Sequence, residues 1–141
     1  MRISEDGIAL IKRFEGVCLE SYLDSVRVWT IGFGHVQGVK EGDTCTADQA
    51  NEWLKEDVHR AETCVAQSVS VDLTQGEFDA CVSFIFNLGC GAFLGSTLLR
   101  YINDGRMDDA SLEFRRWCHA GGVELAGLVK RREAEAALFT A

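Results

Sequence analysis

The chain has 141 residues and a mass of 15.5 kDa, with 47% apolar and 26% charged residues. These are the proportions of one globular domain, not of a disordered, collagenous or coiled-coil chain. Fourteen Lys and Arg face 22 Asp and Glu, a net charge of −8, which disfavours nucleic acid and anionic membrane surfaces as partners.

No apolar run approaches the ~20 residues that span a bilayer, so membrane insertion is not expected. Charges at Arg2, Glu5, Asp6, Lys12 and Arg13 leave no apolar core for a signal peptide, and none is expected. The first helix starts from Ser4, whose hydroxyl can cap free amides, with Glu5 and Asp6 favouring the positive end of its dipole. Ile8, Ile11 and Phe14 share a face, and Gly16 ends the helix after Glu15. Residues 17–40 change character: Val26, Val28, Trp29, Thr30, Ile31 and Phe33, punctuated by Gly32, Gly34 and Gly38, predict a small antiparallel sheet. A capping box from Thr46 to Gln49 opens a helix over 46–63, and a second from Thr74 to Glu77 opens an apolar helix through Phe78, Cys81, Val82, Ile85 and Phe86. Three further helices are expected: one after Ser96 to Gly105, one from Asp108 to His119, and one from Leu128 to Phe139. The class is α+β, mainly helical.

Six cysteines occur without a CxxC pair. No metal-ligand spacing and no phosphate-binding loop is present, so no metal and no cofactor is expected. Helix geometry keeps Cys45 from Cys64, and Cys81 from Cys90. Buried free thiols are the first expectation for the six, Cys18 among them as a small buried filler, and a disulfide among them stays open.

The segment that suggests chemistry joins Glu15 at a helix end, Asp24 in a loop and Thr30 on a strand, with the spacing E-x8-D-x5-T. Three such elements can converge on one cleft. Glycosidic cleavage needs two carboxyls in different environments, one protonated to donate to the leaving oxygen and one ionised. Taken alone, each of these side chains is as well explained as a surface charge or a strand former.

The runs Ile8–Gly16, Trp29–His35, Phe84–Gly89, Gly95–Leu99 and Gly127–Arg132, in this order, give the context. Over essentially its whole length the chain resembles the phage-type lysozymes, or endolysins, a family of glycoside hydrolases. The resemblance implies a lysozyme-like domain over 1–141, with an N-terminal lobe at about 15–60 carrying the sheet. The helical C-terminal lobe, about 61–141, would include the first helix. It implies hydrolysis of the β-1,4 bond between N-acetylmuramic acid and N-acetylglucosamine in bacterial peptidoglycan glycan strands. Glu15 matches the general acid, Asp24 the second carboxylate, and Thr30 the hydroxyl that helps hold water. The family is regarded as inverting. His35 and Asp57 match a structural ion pair, and Val36, Phe86, Asn87 and Leu98 are candidate substrate contacts. Arg131 or Arg132 is expected to be structural. A monomer is expected, made in the host cytoplasm and acting on the wall from the periplasm. Two alternatives remain open: a lytic transglycosylase on the same bond, and a non-catalytic peptidoglycan-binding module.

Overall fold

The computed structural model describes residues Met1–Ala141. Helix α1 (Glu5–Glu15) is followed by an antiparallel pair, β1 (Cys18–Leu23) and β2 (Trp29–Gly32). The long α2 (Ala47–Ser68) leads to α3 (Gln75–Leu88), and the short helices α4 (Cys90–Leu94), α5 (Thr97–Asn103) and α6 (Met107–Glu113) come next. A 3-10 turn at Phe114–Arg116 precedes a hairpin of β3 (His119–Ala120) and β4 (Val123–Glu124), and α7 (Ala126–Thr140) closes the chain.

The caps expected from the sequence form. Ser4 accepts from the Gly7 amide, Thr46 from Gln49, and Thr74 from Glu77, whose carboxylate returns to the Thr74 amide. Ser4 also ties α1 to α3, because its backbone N–H donates at 3.0 Å to the buried Asp79 on α3. The main core lies around α3, which turns Phe78, Ala80, Cys81, Val82, Phe84 and Ile85 inward. The inward face of α2, with Leu54, Val58, Ala61 and Val65, packs on it. Each buried aliphatic or aromatic side chain of this kind stabilises by roughly 1.5–3 kcal/mol before entropy is counted.

Four expectations need correction. The helix expected from Asp108 to His119 stops at Glu113, and Gly121–Gly122, both at positive φ, make a tight hairpin turn rather than a helix stop. Helix α2 runs on to Ser68, because Ala61, Cys64 and Val65 continue its buried stripe. The thiols are not all free: Cys64 and Cys90 form a disulfide joining α2 to α4, with Cα atoms 6.0 Å apart. Cys18 is exposed, not a core filler. Of the remaining cysteines, Cys81 and Cys118 are buried and free, and burial keeps the Cys81 thiol neutral.

Candidate active site

Glu15 is the last residue of α1. Gly16 follows at φ 65 and donates to the Lys12 carbonyl, so the helix ends and the chain turns directly into β1. The Glu15 carboxylate is held by Arg131 from α7, with Nη1 2.6 Å from Oε2. It also lies against Gly34: a Cβ on that residue would collide with Oε1. Gly34 sits at φ 71 in a loop closed by paired backbone bonds of 2.9 Å between Ile31 and His35. Positive φ and the nearness of the carboxylate both require glycine here.

Asp24 stands at the entrance of the β1–β2 loop. Its Oδ1 accepts from the Val26 and Val28 amides at 2.9 and 2.8 Å, which fixes the half-buried side chain. Thr30 is buried on β2, and its hydroxyl donates to the Val28 carbonyl at 2.9 Å, leaving its oxygen free to accept. Across the ladder Thr30 faces Tyr22. Burial first, then the charges of Cys18, Glu15 and Asp24, pushes the Tyr22 phenol above its ordinary value. This one phenol therefore feels both carboxylates. Sequence reading missed Tyr22, which stands near the end of β1 two residues before Asp24.

His35 Nδ1 lies 2.8 Å from Asp57 Oδ2, and the imidazole stacks on Trp53 with centroids 4.6 Å apart. Asp57 also pairs with Arg60. Asp57 and Arg60 border a cleft of about 260 Å³ that is also lined by Gly34, Val36, Gln37 and Phe86. Gly34 lines this cleft and lies against the Glu15 carboxylate, while Glu15, Asp24 and Thr30 are not among the lining residues. Of the expected substrate contacts, Leu98 is withdrawn from the surface and Asn87 keeps only part of its side chain unengaged. Leu98 is fully buried in the core and reaches no ligand, because α5 packs Leu98, Leu99 and Ile102 inward. The Asn87 side-chain oxygen is taken by Arg132 Nη2 at 2.8 Å.

Behind Glu15 lies a buried charge network. Arg131 reaches the Ser83 carbonyl at 3.1 Å and Glu135 Oε2 at 3.4 Å, while Ser83 Oγ donates to Glu135 Oε2 at 2.5 Å. Arg132 Nε is 2.8 Å from Glu135 Oε1, at an angle that makes an ion contact rather than a hydrogen bond. Burial brings the Arg132 guanidinium down to about 10. One further cluster was not foreseen: Cys118, His119 and Glu124 gather around the β3–β4 hairpin.

The phage lysozyme family model matches residues 12–135. The endolysin of Acyrthosiphon pisum secondary endosymbiont phage 1 is 43% identical, over 99% of this chain and 98% of its own length. That of Bacillus phage PZA is 45% identical over 99% of this chain, which spans 55% of that longer protein. Among solved structures, the muramidase domain of SpmX from Asticaccaulis excentricus superposes with a TM-score of 0.90 at 38% identity. That match covers 99% of this chain and 98% of the domain.

Proposed function

The chain belongs to the phage lysozyme family and is a peptidoglycan-hydrolysing muramidase, and we propose that Glu15, Asp24 and Thr30 carry the reaction. Glu15 donates its proton to the glycosidic oxygen as the bond to the anomeric carbon breaks. A water held by Asp24 and Thr30 attacks that carbon from the opposite face and gives its proton to Asp24. The product is inverted at the anomeric centre. The bond cut is the β-1,4 link from N-acetylmuramic acid to N-acetylglucosamine. The glycan lies along the cleft between Val36 and Phe86, with the Asn87 backbone within its reach.

The observation that carries this reading is the position of Glu15: a carboxyl at a helix end, clamped by Arg131 and lying against Gly34, a residue that lines the cleft. The division of Asp24 supports it. Loop amides occupy one oxygen and leave the other for water. His35 and Asp57 act structurally, tying the loop after β2 to α2. The enzyme works as a monomer from the periplasmic side of the wall, where the Cys64–Cys90 disulfide is at home in an oxidising compartment.

The test is the clearing of permeabilised bacterial cells by the parent and by Glu15→Gln. The parent clears the suspension, and the folded variant loses about a hundredfold to ten-thousandfold of that rate. Clearing by both would overturn the assignment of Glu15. Product mass distinguishes hydrolysis, which adds water, from the anhydro product of a transglycosylase.

A further inference from the structure

The β3–β4 hairpin carries a donor set that hydrolysis does not use. Cys118 Sγ lies 3.5 Å from His119 Nδ1, and one atom each of Cys118, His119 and Glu124 fall within 4.8 Å of one another. The hairpin register produces this grouping. His119 pairs across the ladder with Glu124, and the Leu125 amide donates to the Cys118 carbonyl at 3.0 Å, which holds Cys118 beside the end of β4. The turn between the strands is Gly121–Gly122, and both residues adopt the positive φ that a two-residue hairpin demands.

We propose that Cys118, His119 and Glu124 form a binding site for a borderline divalent cation of the Zn²⁺ class. Thiolate, imidazole and carboxylate are the donor types such ions select, and three protein ligands leave the fourth position to water. With metal–sulfur and metal–nitrogen bonds of about 2.3 and 2.0 Å, the sulfur–nitrogen edge of a tetrahedral site is about 3.5 Å. The Cys118–His119 spacing already has that length. Glu124 is exposed, so its side chain is free to rotate through the remaining ~1–1.5 Å to the third ligand position.

The overall charge of the chain, strongly acidic, favours a cation over an anion. Binding replaces the thiol proton by the metal and releases that proton to solvent, so affinity rises with pH. The hairpin feeds α7, whose N-cap Leu125 makes no side-chain cap bond. A bound ion therefore fixes the entry to the helix that carries Arg131.

The test uses untagged full-length protein with its disulfide intact, handled without oxygen, and Co²⁺ and Zn²⁺ as probes. The parent binds one Co²⁺ with a thiolate-to-cobalt charge-transfer band that Zn²⁺ displaces. Cys118→Ser abolishes the band. His119→Ala and Glu124→Gln, both at exposed positions, each weaken binding by at least about tenfold while leaving the fold intact. Zn²⁺ at a hundredfold excess over its Kd raises the parent's Tm by about 5–10 °C and that of His119→Ala by no more than about half as much. A parent without the band, a band that survives Cys118→Ser, or equal binding by the parent and the two exposed variants would overturn the site.

Discussion

Arg131 on α7 and Glu15 at the end of α1 meet at 2.6 Å across 116 residues of chain. The same guanidinium holds the Ser83 carbonyl and Glu135, so one planar fork joins α1, α3 and α7 behind Glu15. Replacing Arg131 by Met leaves Glu15 unclamped and Glu135 with Arg132 and the Ser83 hydroxyl only. The expected cost is about 3–5 kcal/mol of stability, read by denaturant unfolding. Arg131→Lys does not restore it, because a single ammonium cannot hold three partners in one plane. Full stability in the Lys variant would show that charge alone, without the fork geometry, suffices.

Gly34 lies between Glu15 and the cleft, and its substitution separates positioning from folding. Ala at this position takes on an unfavourable positive φ and drives its Cβ into the Glu15 carboxylate. The backbone term costs about 1–2 kcal/mol. The displaced acid costs more in rate than in stability, on the order of a hundredfold in kcat. A variant that clears cells at the parent's rate would show that Glu15 does not work from where it stands.

The Cys64–Cys90 bridge closes a loop of 26 residues and anchors α4 at the wall of the cleft. Replacing both cysteines by Ser lowers stability by about 3 kcal/mol if the loop entropy is lost from the unfolded chain. Reducing agent lowers the parent to the level of the variant and leaves the variant unchanged. Identical unfolding curves for oxidised and reduced parent would mean that the bridge adds no stability.

How far the sequence could be read follows from the range of each interaction. Ser4, Thr46 and Thr74 were legible as caps because a cap is a local event between residues two or three apart. The glycines of the loop after β2 were legible as punctuation for the same reason. The Cys64–Cys90 pairing was not, since it depends on how α4 docks against α2. Leu98 illustrates the same limit: its apolar side chain suits a core or a cleft equally, and only the docking of α5 decides. Gly121–Gly122 gave a clear turn signal, but a stop and a hairpin turn use the same residue type. The second strand needed to distinguish them is only two residues long.

Tyr22 offers a direct probe of whether the two carboxylates share one site. Its phenol is raised chiefly by burial, and then by the charges of Cys18, Glu15 and Asp24. A raised folded value gives stability that is full below the unfolded value of about 10 and lost as pH rises through the folded one. Relative to Tyr22→Phe, the parent therefore becomes less stable in the alkaline range above about pH 10. Phenolate absorbance, taken as the difference between parent and Tyr22→Phe, follows the ionisation itself. Glu15→Gln and Asp24→Asn each remove one negative charge beside the phenol, so each moves its ionisation part of the way back, while the burial contribution remains. A shift with Glu15→Gln but none with Asp24→Asn would place Asp24 too far away to share a substrate with Glu15. The hydrolytic pairing of the two would then have to be abandoned even if both variants were inactive.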